Sequence, residues 1–251
     1  MNLSGELRQW HKLTLDFAGP VGSESDAATF RDYRLDVTFT HEATGRQLTV
    51  PGYFAADGNA ADTGASDGDV WRVHFNPPET GTWTWQASFR TGSDVAVNTA
   101  PTAGTAAPLI DGAAGSFDVV NSDKAGDDLR AKGMLGHDGD GYLSFAGDES
   151  VFLKSGVGSP ENFLAYHEFD NTPGSHDYAP HVDDYTPGDP TWGDGKGAGI
   201  IGAVNYLAEN DVNSAYLMLM NVGGDGRDVW PWAASDLDSI GKNAGDNIDL
   251  T

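Results

Sequence analysis

The sequence contains no cysteine. Disulfides and thiolate chemistry are therefore excluded, and cysteine usage says nothing about compartment. Basic residues are scarce: 14 Lys and Arg stand against 38 Asp and Glu, a net charge of −24 over 251 residues. Binding to nucleic-acid phosphates or anionic membranes needs clusters of Lys and Arg, so the sequence points to no nucleic-acid partner and no membrane partner. No apolar run approaches the roughly 18 residues that a membrane-spanning helix requires. The opening Met1-Asn2-Leu3-Ser4-Gly5-Glu6-Leu7-Arg8 also lacks the apolar core of an export signal.

What is present is turn-forming, apolar and acidic. The 33 Gly and 12 Pro indicate many turns, while 39% hydrophobic residues supply a core for one large domain or two ordinary ones. The acids are not gathered in a tail. Residues 1–122 hold seven basic and fifteen acidic residues, and the remainder seven and twenty-three. Asp exceeds Glu, and the acids alternate with aromatic and aliphatic residues. That pattern suits a protein kept soluble in concentrated salt, where screening removes self-repulsion; it points to a halophilic source.

Two periodicities divide the chain. In the first 122 residues apolar side chains alternate: Leu13, Leu15, Phe17; Tyr33, Leu35, Val37, Phe39; Trp71, Val73, Phe75; Trp83, Trp85, Ala87, Phe89; Phe117, Val119. Period two marks strands buried on one face. Gly19-Pro20, Pro51-Gly52, Asp57-Gly58, Pro77-Pro78 and Thr80-Gly81 supply turns between them. Many short strands without intervening helices predict an antiparallel, immunoglobulin-like β-sandwich over 1–122, with residues 91–115 as a long loop. From 123 the pattern becomes strand, helix, strand. Val151–Lys154 is a short apolar run, Ile200, Val204 and Leu207 recur at helical spacing before Asn210-Asp211, and Ala215–Met220 is continuously apolar. That order predicts a βαβ unit with a right-handed crossover. A single such unit cannot close a parallel sheet, so residues 123–251 are expected to be an incomplete start of a (β/α) TIM barrel, in an α+β multidomain chain.

Several segments could carry chemistry. Glu161 and Asn162 lie just past the first candidate barrel strand, where active-site loops are mounted; Ser159-Pro160 also fits a helix cap. Asn221 and Asp225 follow the second strand in a glycine-rich turn that lacks a phosphate-loop pattern. Trp192, Trp230 and Trp232 sit in polar surroundings, where indole faces could stack on sugar rings or simply plug a loop. Asp138-Gly139-Asp140-Gly141 fits a hairpin turn better than a calcium loop. His176, His181, Asp183 and Asp184 lack zinc spacing, so no metal is expected.

The N-terminal stretch Trp10-His11-Lys12-Leu13, Arg31-Asp32-Tyr33-Arg34-Leu35, Pro51-Gly52-Tyr53-Phe54, Ala56-Asp57-Gly58 and Gly81-Thr82-Trp83 resembles the β-sandwich module called domain of unknown function 5060. That module precedes a glycoside-hydrolase barrel in polysaccharide-degrading proteins. The segments Phe152–Gly156, Ser159–Leu164, Ile201–Leu207 and Asn221–Gly226 are similar to the start of that barrel. The resemblance implies a glycoside hydrolase acting on extracellular or cell-surface poly- or oligosaccharide without a cofactor, its export signal outside this chain. It also implies catalytic carboxylates on later strands, beyond residue 251, which leaves this fragment inactive and Glu161 as a substrate contact. The alternatives are a non-catalytic carbohydrate-binding or adhesion module, and a polysaccharide lyase.

Overall fold

The period-two segments pair as antiparallel strands. In the computed structural model, which describes residues 1–137, 139, 141–157, 162–169, 174–219 and 229, nine strands build two sheets. They are β1 (Asn2–Gly5), β2 (Leu13–Ser23), β3 (Tyr33–His41), β4 (Gln47–Pro51), β5 (Tyr53–Phe54), β6 (Asp67–Phe75), β7 (Gly81–Thr91), β8 (Thr105–Ala106) and β9 (Ala114–Val119). One sheet runs β1-β2-β6-β5; the other runs β4-β3-β7, with β8 and β9 both pairing β7. Short helices α1 (Ala27–Arg31) and α2 (Ala60–Thr63) lie in connections. Asp26 caps α1 by accepting from the Ala28 amide at 2.9 Å.

The inward faces are the predicted ones. Leu13, Leu15, Phe17, Trp71, Val73 and Phe75 come from the first sheet and Leu35, Val37, Phe39, Trp83, Trp85 and Phe89 from the second, all in one buried cluster. Phe39 stacks on Phe75 at 3.9 Å between centroids, and Phe17 meets Trp85 edge-on at 5.6 Å. Burying an indole requires a partner for its N–H. Trp71 donates to the Pro20 carbonyl at 3.0 Å and Trp83 to that of Glu79 at 2.9 Å.

Residues 91–115 are less open than a plain loop. A 3-10 turn, Val95–Val97, and β8 interrupt them. Two guanidinium groups on neighbouring strands then bind the carbonyls. Arg34 donates to Val95, Asn98, Ala100 and Pro101, and Arg90 donates to Ala103 at 3.2 Å and Gly104 at 2.7 Å.

Contacts divide the chain into two units, Met1–Ala60 with Ala65–Leu153, and Ala61–Gly64 with the chain from Lys154 onward. Beyond the sandwich, the first unit holds α3 (Leu129–Lys132) and a three-stranded antiparallel sheet of β10 (Leu135–His137), β11 (Leu143–Phe145) and β12 (Val151–Phe152). The strands on either side of residues 138–142 pair antiparallel; Asp138 and Asp140 themselves lie outside the described residues. The Val151–Lys154 run is not the first strand of a parallel sheet. Val151 pairs with Ser144 across a tight turn, with Glu149 at φ 58°, and Val151 is half exposed rather than buried.

The second unit contains the parallel pair, one step later. β13 (Gly156–Val157) pairs with β14 (Ser214–Ala215), and α4 (Ala198–Glu209) lies between them in sequence. Asn213 Oδ1 fixes this register by accepting from the Ser155 amide at 2.8 Å. The continuous strand expected over Ala215–Met220 is shorter: Tyr216, Leu217 and Leu219 are exposed, and Met220 lies outside the described residues. A two-residue partner can order only two residues of β14. Helix α4 forms where the spacing predicts it and ends at Glu209 with Asn210 as its C-cap, but its buried residues are Gly199, Ile200, Gly202 and Ala203, and Val204, expected on the apolar face, is exposed. Its Gly202 faces a 3-10 segment, Ala179–Asp184, so closely that a Cβ would stand 1.8 Å from the His181 carbonyl oxygen.

Candidate functional site

The segment between β13 and α4 emerges from the C-terminal end of a parallel strand, the position from which barrel enzymes mount their active-site loops. Two of its stretches are zipped together. The Ala165 carbonyl accepts from the Ser175 and His176 amides, both at 2.9 Å, and the His176 carbonyl accepts from the His167 amide at 3.0 Å. Beneath the zipper Tyr166 is buried and stacks on Tyr178, whose hydroxyl donates to the Phe163 carbonyl at 2.7 Å.

Glu168 ties this layer to α4. Its Oε2 accepts from the Tyr166 hydroxyl and, at 2.7 Å, from the amide of Gly197, the N-cap of α4. Gly197 has no side chain to satisfy the orphan amides of a first helical turn, and a carboxylate also suits the positive end of the helix dipole. Burial works to raise the Glu168 carboxyl, but those hydrogen bonds, with His167 and Lys196, hold it below the usual carboxylate range. The Tyr166 hydroxyl moves the other way, pushed up to about 12 by burial and by its bond to Glu168.

Above this layer lies an open cleft of about 540 Å³, lined by His167, His176, His181, Ser175, Asp177 and Tyr178 among others. That volume falls within the range of small-molecule sites. His181 Nδ1 is 2.8 Å from Asp184 Oδ2, and His167 Nδ1 is 3.3 Å from the His176 carbonyl. The His176 ring nitrogens make no hydrogen bond among the described residues, although the ring packs against Tyr178.

The sequence-derived candidates fall in different places. Asn162 is half-buried in a turn and is not among the residues lining the cleft; its carbonyl accepts from the Ala165 amide at 2.9 Å. Trp192 lies nearly parallel to Phe169 at 5.3 Å and is pressed against Gly197, with its Nε1 directed to the Glu168 carbonyl at 3.4 Å. Glu161, Asn221, Asp225, Trp230 and Trp232 lie outside the described residues. His176 and His181 share the cleft, while Asp184 is the partner of His181 and Asp183 is exposed. Tyr166, His167 and Glu168 were not singled out from the sequence. Their one legible signal is the missing cap of α4: a helix opening on Gly197 implies an acceptor supplied from elsewhere.

Among the described residues, one set of three potential metal ligands converges, Glu6, His11 and Asp123, with ligand atoms within 4.8 Å of one another. The set is already neutralised. Arg8 and Lys124 pair with Asp123 at 3.5 and 3.4 Å, and His11 bridges Glu6 at 2.6 Å and Ser122 at 3.0 Å. It acts as an ion-paired clamp between the start of the sandwich and the end of β9.

The chain is similar to a solved structure of a candidate glycoside hydrolase from Bacteroides vulgatus, at 19% identity and a TM-score of 0.40. The match covers 62% of this chain and 23% of that one, so this chain spans less than a quarter of that protein's length. No curated protein matches the sequence. A family model described as a domain of unknown function, DUF5060, matches residues 6–90, from just after β1 to the penultimate residue of β7. The match thus takes in β2 to β6 and β7 as far as Arg90, while β1, β8 and β9 lie outside it.

Proposed function

We propose that this chain is the N-terminal portion of a glycoside hydrolase acting on poly- or oligosaccharide outside the cell. In this reading the sandwich domain ends at about residue 122, and the chain from 123 leads into a (β/α) barrel whose first parallel pair is β13 and β14. The observation that carries it is a parallel pair with a helix between its strands and a polar cleft on the segment leaving the first strand; loops at that end of a barrel hold its substrates. The acid and nucleophile of such an enzyme are then supplied by later strands, and Asn162 and the cleft are substrate contacts.

The binding-module alternative needs exposed coplanar aromatics on the sandwich. Trp71, Trp83 and Trp85 are 3%, 0% and 4% exposed, which makes them core. The lyase alternative needs a base. Tyr166 is unsuited, because its hydroxyl is held protonated to about 12. Co-sedimentation of the chain with insoluble polysaccharides in concentrated salt tests the carbohydrate reading. Retention on at least one polymer is expected; recovery wholly in the supernatant across a broad panel contradicts it.

A further inference from the structure

We infer that the histidine-lined cleft of the second unit is a subsite for a neutral, hydroxyl-rich sugar rather than for a uronic-acid or sulfated one. The inference rests on the carbohydrate reading above and adds the site and the substrate class.

The tautomers carry the argument. A carboxylate and a backbone carbonyl can only accept hydrogen bonds, so the contacts of His181 with Asp184 and of His167 with the His176 carbonyl commit both Nδ1 atoms as donors. In a neutral imidazole with Nδ1–H committed, Nε2 is an acceptor. Two rings that line one cleft thus each carry, in the neutral form, an Nε2 acceptor. His176, with neither nitrogen hydrogen-bonded among the described residues, supplies one donor and one acceptor, each able to meet a hydroxyl. Asp177 adds negative charge, its Oδ1 held by the Ala179 amide at 3.0 Å. Among the described residues, no Lys or Arg lines the cleft.

A carboxylate or sulfate group needs donors, and above all a fixed cation such as a guanidinium fork. Among the described residues this cleft offers neutral polar groups and an acid, and no fixed cation. The surrounding charge acts in the same direction: from Lys154 onward the sequence holds four basic and sixteen acidic residues. A polyanion would be opposed both at long range and by direct contact.

The test is binding of the whole chain to soluble neutral polysaccharides (glucan, xylan, mannan) and to polyuronates and sulfated polymers, by affinity electrophoresis at about 1 M salt. The Debye length is then about 3 Å, so selectivity reports the cleft and not the distant charges. His176→Ala and His167→Ala/His176→Ala variants are run beside the parent, with circular dichroism as the folding control. Retardation by a neutral polymer is expected, weakened about fivefold to tenfold per lost imidazole, with no retardation by polyuronates. Preference for an acidic polymer overturns the substrate class while leaving the carbohydrate reading standing. Unchanged neutral binding in folded variants overturns the site. Binding to none of the polymers removes the carbohydrate reading itself.

Discussion

Glu168 shows how much one side chain can hold. It receives a buried hydroxyl and a helix-terminal amide at once, so Glu168→Gln should weaken both bonds and lower the stability of the second unit by about 1 kcal/mol. Trp192 fluorescence during urea unfolding reads this, because its indole N–H reaches the Glu168 carbonyl. The pH dependence has a definite sign. A carboxyl held below its ordinary value contributes stability that is present above about 4.5 and is lost as pH falls through the folded value. Tyr166 contributes in the opposite sense: its share is present below about 10 and is lost as pH rises through about 12. A variant with unchanged acid sensitivity would show that Glu168 is merely adjacent to α4. In the sandwich, Trp83 is fully buried with its N–H satisfied, and Trp83→Ala should cost roughly 3–5 kcal/mol. An unshifted melt would contradict its core placement.

Elements differ in how plainly the sequence announces them. β2, β3, β6 and β7 run nine or eleven residues with one face buried, so alternation had several periods in which to show. Helix α4 likewise spans three turns. By contrast β12, β13 and β14 are two residues each, less than any pattern needs, and their pairing is decided by neighbours. Val151 joins a hairpin because β11 lies just before it, whereas each residue of β14 pairs with one 58 positions earlier in sequence. The cleft was illegible for a related reason: its histidines converge only once the Ala165 and His176 carbonyls zip two stretches together. Close approach of elements gives two further expectations. A methyl at Gly202 meets backbone, not a movable side chain, so Gly202→Ala should displace the Ala179–Asp184 segment and abolish cleft binding while leaving the sandwich melt intact. Arg34→Gln removes a guanidinium that holds four carbonyls; limited proteolysis should then cut within residues 92–104, where the parent resists. An equally resistant loop would assign that order to Arg90 and β8 instead.

For the whole molecule the governing quantity is the charge of −24. As salt falls from 1 M to 0.01 M the Debye length grows from about 3 Å to about 30 Å, and repulsion among the acids reaches across the protein. Residues 123–251 hold twenty-three acidic against seven basic residues, and the described part of the second unit has a parallel sheet of two short strands. That region should loosen first on desalting, with early proteolytic cuts after residue 123 and a surviving sandwich fragment. Protection of both halves in dilute buffer, or earlier loss of the N-terminal half, would contradict the halophilic reading or the boundary. The central claim is that this chain holds a sugar but does not itself carry the acid and nucleophile. Release of reducing ends from a polysaccharide panel in concentrated salt tests that claim most directly. The account predicts no turnover above the buffer rate by the 251-residue chain, even on polymers that retain it. Turnover that disappears in Glu161→Gln would place a catalytic carboxylate within this chain and contradict the account.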